Sequence, residues 1–107
     1  MNTLLLYMQT TKPYLKEGFT IPELAVDTNT TLHNLSYILN THLNKSFPDF
    51  INEFRVNEAI QLLKSVKFEN HTIESIGYEC GFGSKTSFNK AFKKVTNLTP
   101  SEYRKID

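Results

Sequence analysis

A chain of 107 residues, 39% hydrophobic and with eight Phe and five Tyr, has room for one domain or for two very small subdomains on a shared helix. It is too apolar to stay disordered. One cysteine, Cys80, excludes an internal disulfide and fits a reducing cytoplasm, and no apolar run reaches the roughly 20 residues that cross a bilayer. The net charge of +1 argues by itself against nucleic acid, but the charge is unevenly spread. Residues 1–50 hold three Lys against four acids, and residues 51–107 hold nine Lys and Arg against seven acids. Between Cys80 and Ser101 stand Lys85, Lys90, Lys93 and Lys94 with no acid, a basic segment that fits either a phosphate footprint or a solvated helix face.

Leu4, Leu5 and Leu6 open the chain without a basic leader or a small-residue cleavage site, so Met1 to Met8 reads as a first helix and not as a signal peptide. Thr20 and Glu23, with Pro22 between them, have the form of a capping box at the start of a second helix. Thr31 is the N-cap of a helix running to about Asn40. Ser46 stands before Pro48 and Asp49, at the start of the longest helix, expected from about Pro48 to Val66. Its apolar positions, Phe50, Ile51, Phe54, Ala59, Ile60, Leu63 and Val66, recur at the steps of one buried stripe. Residues 67–71 interrupt the pattern. Thr72 and Ser84 then cap two further helices, and Thr99 with Glu102 forms a second capping box with Pro100 at the first helical position. No segment alternates with period two, so the fold class is all-α, with six or seven helices.

The chain repeats itself at a shift of 52–53 residues. Ile21, Leu24, Ala25 and Asn29 align with Ile73, Ile76, Gly77 and Gly81 at a shift of 52. After one inserted residue, Leu35, Ile38, Leu39, Asn44, Ser46 and Phe50 align with Phe88, Ala91, Phe92, Asn97, Thr99 and Tyr103 at 53. Each half is a short helix ending in a small residue, then a turn at Asn29 or Gly81, then a capped second helix. Asn and Gly best tolerate the positive φ of a sharp turn, and the small residue lets two helices cross closely. This is the pattern of a helix-turn-helix. Two such units on one rigid helix can place both second helices on one side of a duplex, if they lie about 34 Å apart.

Gly81 and Phe82, Ser84 to Phe88, Phe92 to Lys94, and Leu98 to Arg104 resemble the C-terminal signature of AraC/XylS-type regulators. Phe54 to Ala59, followed by Leu62 and Leu63, resembles that family's connecting helix, and the likeness runs from about Tyr14 to Lys105. It implies two helix-turn-helix (homeodomain-like) subdomains, residues 1–47 and 67–107, joined by a long helix over 48–66. It also implies sequence-specific binding of double-stranded DNA in transcription regulation. RNA polymerase is an implied partner, as is an N-terminal sensor or dimerisation region in a longer protein. Two departures stand out. Asn44 and Asn97 replace a common Gly, and the helix from Thr31 to Asn40 has no Lys or Arg where the family often has a base-reading Arg.

On the second reading helix, Phe88, Ala91 and Phe92 form the buried face, leaving Lys85, Thr86, Ser87, Asn89 and Lys90 on the exposed side and flanks. The resemblance puts these same positions in the major groove. Asn can pair bidentately with adenine, Lys donates to guanine, and Ser or Thr serves either base class. Lys93 and Lys94 fit phosphate contacts, with structural or polymerase-facing roles as competing readings. On the first reading helix the candidates are His33, Asn34, Ser36, Tyr37 and Asn40, with packing of Tyr37 against its own turn as the alternative. Backbone N–H groups near Thr20 and Thr72 are ready phosphate binders. Cys80 reads as a small core residue, His71 as a turn residue, and His42 as flanking the end of the first reading helix. One Cys and three scattered His give no metal-ligand spacing, and there is no Gly-rich phosphate loop, nucleophile elbow or paired-carboxylate arrangement. No metal, cofactor or enzymatic activity is expected. The expected place is the cytoplasm, DNA-associated, and compatible with membrane tethering of a full-length protein. The competing function is an all-α protein-interaction module that keeps this architecture without DNA contact.

Overall fold

The structure is a computed structural model that describes residues 2–106; Met1, at the start of the first expected helix, and Asp107 lie outside it. Among the described residues there are seven α-helices and no strand. Helix α1 spans Asn2–Thr11 and is followed by a 3-10 turn at Pro13–Leu15. Helices α2 (Ile21–Asp27) and α3 (Leu32–Tyr37) make the first hairpin, and α3 runs on into a π-helical turn at Ile38–His42. Helix α4 (Phe47–Leu63) is the connecting helix. A 3-10 turn at Val66–Phe68 leads to the second hairpin, α5 (Ile73–Glu79) and α6 (Lys85–Thr96), and to α7 (Pro100–Arg104).

The helix starts are where the sequence puts them, because each has a side-chain acceptor for an orphan N–H. Thr31, Ser46, Thr72 and Ser84 each accept the N–H three residues on. Thr20 and Thr99 form reciprocal capping boxes: Glu102 N–H donates to Thr99 Oγ1 at 3.1 Å and Thr99 N–H donates to Glu102 Oε1 at 2.8 Å. Each cap contributes about 1 kcal/mol. The backbone N–H of Thr20 lowers the Glu23 pKa, with Lys16 adding to it, and that of Thr99 lowers the Glu102 pKa. The turns agree as well. Asn29 has φ 54° and Gly81 φ 98°, while Asn44 (φ 53°) and Asn97 (φ 69°) also take the left-handed conformation.

Two cores lie along the helical shaft. The first gathers Met8, Tyr14, Leu24, Leu35 and Leu39 around Phe50 and Ile51 of α4. The second gathers Ile76, Cys80, Phe82, Phe88 and Phe92 around Val56, Ala59 and Leu63 of the same helix. Here the structure corrects the single buried stripe. At 3.6 residues per turn, Phe50, Ile51 and Phe54 point to one side of α4, and Val56, Ala59 and Leu63 to the roughly opposite side. The helix is held between two units, so its two ends bury opposite faces. Val56 is fully buried, although it falls outside the expected stripe. Val66 is in neither core. Helix α4 stops at Leu63, Ser65 is extended, and Val66 is 78% exposed in the following turn. Arg104 holds that turn by donating Nη1 to the His71 carbonyl at 2.7 Å and Nη2 to the Phe68 carbonyl at 2.8 Å.

The small residue of each hairpin has the expected role. A Cβ on Gly77 would come 2.5 Å from the Phe88 ring, so α5 and α6 cross at a distance only glycine allows. Ala25 is buried at the same place in the first hairpin. The molecule measures 41 × 24 × 23 Å, its long dimension exceeding one turn of B-form DNA, about 34 Å.

Candidate nucleic-acid interface

Helix α6 takes its direction from its cap and its buried face. Ser84 Oγ accepts the Ser87 N–H at 3.1 Å, and the Ser87 hydroxyl donates to the Ser84 carbonyl at 3.0 Å. Phe88, Ala91 and Phe92 are buried in the second core. The opposite side is fixed by elimination. Lys85, Thr86, Ser87, Lys90 and Lys93 are exposed, and Asn89 is half-buried. Lys85 and Asn89 share a shallow cleft with Thr72 and Glu74 of the α5 start and with Thr99 and Ser101 of the α7 start. The predicted residues of the second motif therefore lie on one helix, and its polar groups reach the flanks where two helix N-termini open.

Lys94 separates from this set. Its Nζ lies 2.9 Å from Asp49 Oδ1, an ion pair between α6 and the first turn of α4 that draws the Asp49 pKa down. That geometry favours the structural reading of Lys94 over the phosphate reading. Both partners are solvent-exposed, so the pair contributes little to stability, about 0–1 kcal/mol.

Helix α3 is oriented in the same way. Thr31 Oγ1 accepts the Asn34 N–H at 3.0 Å, and Leu35 and Leu39 are buried in the first core. His33, Asn34, Tyr37 and Asn40 are exposed and Ser36 is half-buried. Asn40 sits in the π-helical turn, where Leu43 N–H donates back to the Ile38 carbonyl at 3.1 Å. Tyr37 combines both expectations: its side chain is 56% exposed, and its ring stands edge-on to His42 with centroids 5.7 Å apart. Leu32, at the first position of α3, is 49% exposed although apolar, and a choice of candidates by polar residue type leaves it out. The repeat carried its signal, since a shift of 53 aligns Leu32 with Lys85.

Cys80 is fully buried in the second core, and burial pushes its thiol up to about 12, so it is a core residue. His71 is in the turn before α5, against the Phe68 ring at 4.7 Å, and His42 ends the π-helical turn. Among the described residues no group of three His, Cys, Asp or Glu side chains could hold a metal, and no helix is long and apolar enough to cross a membrane.

Two capped helices in equivalent places of a repeat, on opposite ends of one shaft, define a double helix-turn-helix domain. Residues 24–106 match a family model described as a helix-turn-helix domain. The chain is 36% identical over 69 residues to the urease operon transcriptional activator of Escherichia coli, a match covering 62% of this chain and 22% of that protein. It is 32% identical over 96 residues to the raffinose operon transcriptional regulatory protein RafR of Pediococcus pentosaceus, covering 86% of this chain and 34% of that protein. The fold matches the structure of an AraC-type transcriptional regulator from Chromobacterium violaceum with a TM-score of 0.80 and 24% identity, over 96% of this chain and 89% of that one. The chain belongs to this helix-turn-helix family, and it has the fold of an AraC-type DNA-binding domain. It spans about a fifth and a third of the two regulators' lengths.

Proposed function

We propose that this domain reads one asymmetric site on double-stranded DNA, with α3 and α6 in successive major grooves. The observation that carries this reading is the repeat made physical: α3 and α6 follow equivalent caps and turns and are packed on one continuous helix, α4. The long dimension of the molecule, 41 Å, leaves room for two helices about one helical turn apart. In this reading Lys85, Thr86, Ser87, Asn89, Lys90 and Lys93 serve the second groove, and His33, Asn34, Ser36, Tyr37 and Asn40 the first. Residues 1–47 and 67–107 are the two reading units, with 48–66 as the connection. In this reading the work is binding and not catalysis, in the cytoplasm and DNA-associated, compatible with membrane tethering of a full-length protein. The share of the relatives' length that the chain covers supports a longer regulator with an N-terminal sensor or dimerisation region, and RNA polymerase is the partner such a regulator addresses.

Selection of bound duplexes from a random pool, at about 100 mM salt so that non-specific contacts are weakened, tests the reading. The expected outcome is an asymmetric motif with two elements about 10 base pairs apart. Absence of any DNA binding overturns it and leaves the protein-interaction module.

A further inference from the structure

The repeat relates the two reading helices residue by residue, and the substitutions along it have one direction. At a shift of 53, Leu32 stands where α6 has Lys85, Tyr37 where it has Lys90, Asn40 where it has Lys93, and Thr41 where it has Lys94. Each lysine of α6 thus has a neutral counterpart. The settings match: Leu32 and Lys85 each follow the N-cap directly, and Leu35 and Leu39 take the buried places of Phe88 and Phe92. Leu32 and Tyr37 are therefore not held in the first core. They are 49% and 56% exposed, on a helix whose twin presents ammonium groups.

A helix without Lys or Arg has no charge-assisted donor for the O6 and N7 of guanine. What it keeps is amide, hydroxyl and imidazole groups together with two apolar side chains. In the major groove only thymine offers an apolar group, its C5-methyl, and the adenine opposite presents the N6 and N7 that Asn pairs with. Asn34 and Asn40 are exposed on the same helical segment. Tyr37 is braced by His42, which orients its ring before any duplex arrives. Resting on the DNA-reading function above, we infer that α3 is a reader of A·T pairs that recognises thymine by its methyl group through Leu32 and Tyr37. The lysines of α6 supply the charge and the guanine-directed donors. The domain then grips one end of its site electrostatically and reads the other by shape and apolar contact.

The test removes the methyl alone. In the duplex obtained by selection, the thymines of the α3 element are replaced by deoxyuridine, which pairs identically but lacks the C5-methyl; a second duplex carries the change in the α6 element. Fluorescence anisotropy gives the affinities. The expected result is a loss of about fourfold for each methyl contacted in the α3 element, the worth of one buried methyl. Leu32→Ala is expected to bind the thymine duplex more weakly and to have lost part of that penalty, with an unchanged salt dependence because no ion pair is removed. Tyr37→Ala is expected to behave likewise. Both side chains are exposed, and α3 without Leu32 keeps its cap and its buried leucines. The inference is overturned by wild-type affinity that ignores deoxyuridine in the α3 element. It is equally overturned by full retention of the penalty in both variants, or by a selected site without A·T pairs at that end. All three leave DNA binding standing; loss of all DNA binding by the wild type overturns the proposed function itself.

Discussion

Arg55, midway along the connecting helix, donates its Nε–H to the backbone carbonyl of Tyr14 at 2.7 Å. Its Nη2 reaches the Lys16 carbonyl at 3.1 Å, and its guanidinium carbon stands 5.7 Å from the centre of the Phe82 ring. Tyr14 belongs to the first core and Phe82 to the second. One side chain therefore ties the segment after α1 to the turn of the second hairpin, and Lys12, paired with Glu58 at 3.1 Å, adds a tie beside it. Contacts made by the middle of α4, outside both helices, thus help to hold α3 and α6 at one relative orientation.

Arg55→Met keeps much of the side chain's apolar stem and removes both donors. Stability is expected to fall by about 2 kcal/mol, since hydrogen bonds from a charged group contribute about 1.5–3 kcal/mol and the partly exposed position discounts them. Urea unfolding measures it, with Arg55→Lys expected between the variant and the wild type. The same variant is expected to discriminate less between DNA sites whose two elements differ by one base pair in spacing.

Gly77 makes a sharper demand. A methyl group there would lie 2.5 Å from the Phe88 ring, inside the second core. Gly77→Ala should gain about 1 kcal/mol of helix propensity, yet lose more by overpacking, whose cost is typically about 1–3 kcal/mol. A net loss of stability in thermal or urea unfolding is expected. In the first hairpin the equivalent Ala25→Gly should cost about 1 kcal/mol through propensity and about 0.8 kcal/mol more through the loss of its buried methyl.

Much of this was legible in the sequence because it rests on local chemistry. Thr20, Thr31, Ser46, Thr72, Ser84 and Thr99 cap helices through their own side chains, and Asn29, Gly81, Asn44 and Asn97 set turns by backbone freedom. What stayed hidden depends on how the units meet. The sequence carries the apolar spacing of α4 but not which end faces which core, so the expected stripe leaves out the buried Val56 and includes the exposed Val66. Nothing in the local sequence marks Arg55 as a tie, because the Tyr14 and Lys16 carbonyls it binds lie some 40 positions away. The exposure of Leu32 is likewise set by the fold, although the repeat aligns it with Lys85.

Cys80 gives a pH test. Burial raises its pKa to about 12, while an unfolded thiol titrates near 8.5. Between these values the unfolded chain binds fewer protons than the folded one, so stability falls as pH rises. The contribution is complete below about pH 8 and should diminish by about 1–2 kcal/mol on going to pH 10. Tyr14, also pushed up to about 12 by burial and by Glu58, adds to the trend at still higher pH. The Cys80→Ala variant isolates the thiol: its stability should decline less steeply from pH 8 to pH 10 than that of the wild type. Identical slopes would place the thiol in contact with solvent. A thiol reagent at pH 8 should likewise modify the wild type at a rate set by unfolding.

The reading face of α6 is tested by separating charge from base recognition. If six phosphates are neutralised, log K should fall with log salt at a slope of about −5. Lys90→Ala is expected to weaken binding and to reduce that slope by about 1 if Lys90 meets a phosphate, or to relax preference at a G·C pair if it meets guanine. Asn89→Ala should leave the slope unchanged and relax preference at one base pair by about 1–3 kcal/mol. Lys94→Ala provides the internal control: its ammonium is engaged by Asp49 2.9 Å away, so its loss should change the slope less than the loss of Lys90. Affinity and specificity unchanged in both the Lys90 and the Asn89 variants would remove α6 from the groove, and with it the geometry on which the two-element site depends.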